Sequence, residues 1–343
     1  SAALLITGIM ALGKQANPNL DVRMAKHILA KTSTVVDPND NSLSSDGGWR
    51  TNGAGNRFNP NYGFGLINAG KFVEMARKVA YVTKQTSYST GTVSVNTPIP
   101  DNDPKGISKT FTLTKAELNQ PLEGVEVGLN FTHQKRGDLT ASITSPSGMY
   151  SRILYSTTHF GPDEKDGGGN YKQDIKSVMD FSWTFLSNAF WGEDGLGTWT
   201  LNMADLALGN TGIWNSYDVT YLMGKMVMQT EGENRQSQHI KADSLAITNP
   251  QTTFINPPGF TLEVEEDVNI MAGELVINGT LTETPGTEGV IVKVDGGSVS
   301  GSGIINVSRG FYNNGGTLKP GNSIGVITIN GNYFQGPNGT LLS

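Results

Sequence analysis

The sequence predicts a mainly β, multidomain chain: a short helical block, a β-sandwich of the jelly-roll kind, and the start of a right-handed β-solenoid. Three observations carry that expectation. Apolar residues recur at helical spacing within residues 1–82, alternate with period two across 92–228, and fall into short runs punctuated by Gly and Asn across 240–343. A chain of 343 residues has room for two or three such domains, and its 43 glycines suit turn-rich β structure.

The helical block opens with Ser1-Ala-Ala-Leu-Leu-Ile-Thr-Gly8, which runs into an apolar helix. Ala16-Asn-Pro-Asn-Leu20 breaks it, and a second helix follows through His27 to Lys31. Leu20, Met24, Ile28 and Leu29 share one face of that helix, with Asp21 near its start and Lys31 near its end. Residues 37–61 are polar and glycine-rich and read as a long loop. Phe72 to Ala80 has the pattern of a short amphipathic helix. Asp37, Asn39 and Asn41 alternate oxygen ligands as a calcium loop does. No glycine stands at the sharp-turn position and no glutamate closes the loop, so a solvated loop is the favoured reading.

These phrases resemble the segment of subtilisin/kexin-type serine proteases that follows the nucleophilic serine. Asn61-Tyr-Gly-Phe-Gly-Leu-Ile-Asn-Ala69 is similar to the phrase that closes that domain. The resemblance implies that residues 1–82 are the C-terminal remnant of a subtilisin-like α/β peptidase domain. It also implies a Ser-His-Asp mechanism in the intact parent. In the family the glycine matching Gly8 lies eight residues after the nucleophile, which places Ser1 beside the nucleophile rather than at it. Reading Ser1 as the nucleophile needs a one-residue deletion in a buried helix, and Leu4 replaces the usual proline of this stretch. The four histidines, His27, His133, His159 and His239, lack the family's flanking residues. No catalytic, cofactor-binding or metal-binding residue is therefore assigned. The chain is expected to be inactive alone, with peptide or protein substrates engaged through the missing catalytic half.

Across 92–228, Lys109–Thr114, Leu122–Phe131 and Leu139–Thr144 alternate as half-buried strands, and Ser145-Pro-Ser-Gly148 is a turn. Trp183, Trp191, Trp199 and Trp214 are large surfaces that a sandwich must bury; exposed, they would instead stack sugars. Glu193 and Asp194 share a tight turn, with no sign of a catalytic pair. Arg136-Gly137-Asp138 spells an adhesion tripeptide, but bracing of a turn by charge-assisted hydrogen bonds is the favoured reading. His133 reads as structural or solvent-facing, His27 as lying on the outer face of its helix, and His159 and His239 as loop residues; no pair has metal-ligand spacing.

Phe131-Thr-His-Gln-Lys-Arg-Gly-Asp-Leu139, Ser145–Gly148, Phe181-Ser-Trp183, Phe190-Trp-Gly-Glu193 and Gly197-Thr-Trp-Thr-Leu201 together resemble the P domain (P/Homo B) of kexin-like proteases. The resemblance implies that this block packs on the catalytic domain and supports its folding. An apolar face left wet on the sandwich is the physical corollary. The Asp163–Gly169 loop gathers oxygen donors that could take Ca2+, although surface solvation is the favoured reading.

In the last block, Phe260–Val264, Gly273–Leu281, Val290–Gly297 and Ile324–Phe334 are short β runs of the kind that stack in solenoids. Gly315 to Tyr333 resembles the passenger-associated repeat of bacterial autotransporters. That implies display at the Gram-negative cell surface or secretion, and an outer-membrane β-barrel downstream. Asn338 to Ser343 reads as a rung cut short, leaving an open strand edge.

Composition narrows the function further. A net charge of −6 gives no footprint for nucleic acid, and zero cysteines exclude disulfides and thiolate metal sites. The apolar run 2–12 falls short of the ~20 residues of a membrane helix, and no basic segment precedes it. The expected function is a portion of a secreted autotransporter-type subtilisin/kexin-like endopeptidase, with the sandwich supporting catalysis and the solenoid serving export. The alternative is a non-catalytic adhesion or ligand-binding surface protein.

Overall fold

The computed structural model describes residues 2–156, 180–321 and 325–342. The chain divides into two compact units that interleave along the sequence. One holds Ser1–Thr32, Ile67–Lys84 and Lys225–Ser343; the other holds Ser33–Leu66 and Gln85–Gly224.

The first unit joins three helices to a parallel β-solenoid. Helix α1 (Ala2–Ala16) and α2 (Val22–Thr32) meet at the predicted Asn-Pro-Asn turn. Asn17 explains why that turn holds. It is fully buried, its Nδ2 donates to the carbonyls of Ala76 (2.9 Å) and Val79 (3.1 Å), and its Oδ1 accepts from the Asn19 amide. Asp21 Oδ1 then caps α2 through the Met24 amide at 2.6 Å. Leu20, Met24 and Ile28 are buried as their spacing predicts. His27 is also buried, which corrects its expected outer position. Ala25 and Ala30 are buried with it, so the covered face of α2 is wider than the Leu20–Ile28 stripe suggests.

Helix α3 (Ala69–Lys78) is capped by Asn68, whose side chain accepts from Lys71. It stops two residues before the expected Ala80. Val79–Val82 leaves as a fully buried strand paired with Met226–Met228. The β-branched Val79 and Val82 prefer that extended setting. Ala80 and Tyr81 join the solenoid core beside Ala242, Leu245 and Phe254, so this strand lies against the first rungs.

The solenoid stacks three parallel sheets of six, five and five strands. Partner residues recur after 19 (Ser298 to Thr317) to 24 (Glu274 to Ser298) positions. Interior positions form apolar columns that follow the rungs: Phe254, Leu275, Val299 and Leu318 in one sheet, Leu262, Leu281 and Ile305 in the next, Val268, Val292 and Phe311 in the third. Each rung buries its apolar residues only against its neighbours, so the stack stabilises as a column.

The second unit is an antiparallel sandwich. One sheet runs Asp180–Ser187, Leu122–His133, Gly212–Met223 and Thr86–Ser89, with Val93–Ile99 also paired to Gly212–Met223. The other runs Asp103–Leu113, Gly197–Asp205, Leu139–Thr144 and Tyr150–Leu154. Their inner faces meet in a core around Trp199, Trp214, Tyr221, Phe131 and Phe190. The segment 33–66 belongs to this unit, and its stretch 37–61, expected to be a long loop, carries a short hairpin (Arg50–Thr51 with Arg57–Phe58).

Candidate functional site

The sandwich grips the segment 33–66 through a polar site built from two of its turns, one carrying Ser147 and the other Ala189 to Glu193. Glu193 is 3% exposed, and its Oε1 accepts from the Gly53 amide at 2.7 Å and from the Ser147 hydroxyl at 2.8 Å. Ser147 stands in the Ser-Pro-Ser-Gly turn, so one carboxylate ties the hairpin to two sandwich loops. Asn52 organises the hairpin itself. Its Oδ1 accepts from the amides of Ala54 and Asn56, both at 3.0 Å, while its Nδ2 donates to the carbonyls of Ala189 and Trp191. Asn56 Nδ2 adds a second donor to Trp191 O at 2.7 Å.

Asn52 and Asn56 are each about one-twentieth exposed. Their amides thus satisfy backbone carbonyls that would otherwise be buried unpaired.

A second anchor lies on the edge strand Tyr150–Leu154. Arg152 Nη2 meets Asp46 Oδ1 at 2.5 Å, and the Arg50 guanidinium lies 5.0 Å over the Tyr150 ring. Tyr155 donates to Asp46 Oδ2 at 3.4 Å, and burial followed by the Asp46 charge pushes its hydroxyl up to about 12. Gly53 completes the fit: a Cβ there would stand 2.9 Å from Ser147 Cβ and 3.3 Å from Glu193 Cδ.

Residues 122–221 match the family model described as "Proprotein convertase P-domain". The sandwich is a P domain. Furin of Rattus norvegicus is 28% identical over 270 residues, covering 76% of this chain and 30% of that protein. "Endoprotease bli" of Onchocerca volvulus is 34% identical over 206 residues, covering 59% and 27%. Among solved structures, the serine protease of Aeromonas sobria aligns with a TM-score of 0.50 at 27% identity, over 64% of this chain and 43% of that one. The chain is thus related to subtilisin/kexin-like proteases and spans under a third of the length of these curated relatives.

The Arg-Gly-Asp phrase lies inside the P domain as a 3₁₀ turn, Arg136–Asp138. Asp138 is fully buried; it accepts from Asn210 Nδ2 at 2.9 Å and pairs with Lys135 at 3.2 Å. Arg136 does not brace the turn through Asp138. Its guanidinium lies 5.1 Å over Phe181. Trp191, Trp199 and Trp214 are buried as expected, each at 5% exposure or less. Trp183 is the exception at 63% exposed, because its strand is the end strand of its sheet among the described residues.

His133 is buried and His239 exposed. Ser1, His159 and the Asp163–Gly169 loop lie outside the described residues. Asp37, Asn39 and Asn41 are exposed; the residue of that loop with a built environment is Asp40, held well below the usual carboxylate range by Asn59 and the Ser42 amide. Asn52, Asn56, Asp46 and Arg152 were not singled out from the sequence. Polar residues in a Gly-rich stretch give no signal of which carbonyl they will meet forty or more positions away.

Proposed function

We propose that this chain is the P-domain and solenoid portion of a secreted subtilisin/kexin-like serine endopeptidase, and that its P domain acts by holding peptidase-domain backbone in place. The observation that carries this reading is the grip of Glu193, Ser147 and Arg152 on Gly53 and Asp46, which lie between two stretches resembling the end of a subtilisin-like domain. Helix α1 supports it. Leu4 and Leu5 are 74% and 72% exposed, and Ile6 and Leu12 are exposed as well. A helix apolar on all sides is built for a protein interior, as the central helix of an α/β peptidase domain is. The parallel rungs that carry the Gly315–Tyr333 phrase support export and display of the autotransporter kind. A downstream outer-membrane barrel and a surface or secreted location belong to the same proposal.

The test is reaction of the purified chain with a serine-directed fluorophosphonate probe, alongside hydrolysis of a mixed protein substrate. Neither labelling nor hydrolysis is expected from the chain alone. Inhibitor-sensitive turnover contradicts the silent-module reading. The features the adhesion alternative leaned on are inside the fold, Asp138 in its turn and Trp191 and Trp214 in the core, which leaves it the exposed Trp183.

A further inference from the structure

Beneath the Arg136–Asp138 turn lies a buried ionisable cluster that neither the core nor the gripping site uses. The His133 and Asp205 side chains have no exposed surface, and Nε2 stands 3.0 Å from Asp205 Oδ2. Asp205 Oδ1 accepts from the Ala207 amide at 3.1 Å, so both carboxylate oxygens are engaged. The second ring nitrogen, Nδ1, lies 3.0 Å from the Lys135 amide and 2.8 Å from the Lys135 carbonyl. It therefore has a partner in either state: as an acceptor it takes the N–H, and as a protonated donor it gives to the C=O.

Charge decides between the states. Around the ring, among the described residues, stand Asp205 from the strand Gly197–Asp205, Asp138 and Lys135 from the turn, and Asp103, which pairs across the sheet with Asp205. Asn210 and Gln134 supply neutral amide groups from the flanking loop and turn. Lys135 offsets Asp138. A neutral imidazole beside an ionised Asp205 leaves a buried negative charge held by two hydrogen bonds but by no full counter-charge, which is costlier than a pair that keeps the extra proton.

We propose that the His133–Asp205 pair is a proton-holding latch: it keeps one proton beyond the neutral ring and ionised carboxylate, and losing that proton at higher pH loosens the Arg136–Asp138 turn from the strand Gly197–Asp205. The carboxyl of Asp205 is pushed up from 3.8 chiefly by burial, and Asp138 adds to the rise. The sign follows. A group raised in the folded state contributes stability below its ordinary value and loses it as pH rises through the folded value. The P domain is thus a unit that tightens on acidification and slackens on alkalinisation.

The full chain offers a clean readout, because all five tryptophans (49, 183, 191, 199 and 214) lie in the unit that contains the P domain. Tryptophan-detected melting is followed from about pH 5 to about pH 9, for the wild type and Asp205→Asn. The wild-type Tm is expected to fall by about 5 °C more than that of Asp205→Asn, whose amide needs no extra proton. Imidazole 15N spectra of the wild type give a second measurement that depends on no variant folding. Two protonated ring nitrogens at the acid end and one at the alkaline end support the latch. A His133 ring with an unprotonated Nδ1 throughout, or equal slopes for the two proteins, overturns it.

Discussion

Glu193 accepts from the Gly53 amide across 140 residues of sequence, at 2.7 Å, and does so from a nearly closed environment. A charge-assisted bond of this kind, doubled by Ser147, has few ways to be replaced by water. Glu193→Ala is expected to destabilise the unit by about 2–4 kcal/mol, since it leaves the Gly53 amide and the Ser147 hydroxyl short of an acceptor. Glu193→Gln, which keeps an acceptor oxygen, should cost less. Urea denaturation followed by tryptophan emission measures both.

Tyr221 carries the opposite lesson. Its ring is fully buried against Trp199 at 5.1 Å, yet its hydroxyl has no hydrogen-bond partner among the described residues. Tyr221→Phe removes an unpaired polar atom at little cost in shape. The variant should be as stable as the wild type or up to about 1 kcal/mol more stable. A loss above that, in the same denaturation experiment, shows that the hydroxyl is bonded after all.

Asp243 makes α2 sensitive to pH. Burial pushes its carboxyl up to about 6 against the pull of Arg23, whose Nη1 lies 2.5 Å away, while Asp21 and Glu265 add to the rise. The folded value lies above the ordinary 3.8. The stabilisation associated with the protonated form is therefore complete below 3.8 and is lost as pH rises through about 6. The protection factors of the α2 amides should fall across that window in the wild type and stay level in Asp243→Asn. Equal exchange in both at every pH contradicts the assignment.

Gly301 marks where the rungs allow no side chain. Its φ is 114°, and a Cβ there would lie 2.1 Å from the Ile277 carbonyl oxygen in the rung below. Gly301→Ala should destabilise the solenoid by about 1–3 kcal/mol, with the loss visible in its far-ultraviolet melting. A neutral result means that the rungs can shift apart at this point.

Much of the fold was legible because its signals are local. Period-two patterning marked Leu122–Phe131, two residues short of its strand, and Leu139–Thr144, and Asn17 and Pro18 marked the break between α1 and α2. The misreadings share one cause, which is that burial is decided by distant partners. His27 is buried on a face that its own helix pattern marks as outer, and Trp183, on the inner face beside Phe181 and Phe185, is left uncovered on a strand at a sheet end among the described residues. The gripping site was the least legible. Glu193 and the Ser145–Gly148 turn were visible as separate turns, but nothing local couples them to Asn52 and Gly53.

The most direct test of the central claim is amide hydrogen exchange across residues 50–58 in the full chain and in Glu193→Ala. If the P domain holds this segment, the wild-type amides of Gly53 and Asn56 are protected, and protection there falls at least about tenfold in the variant while the strand Leu122–His133 keeps its own. Equal, fast exchange at Gly53 in both proteins means that the segment is not held, and the supporting role assigned to the P domain fails with it.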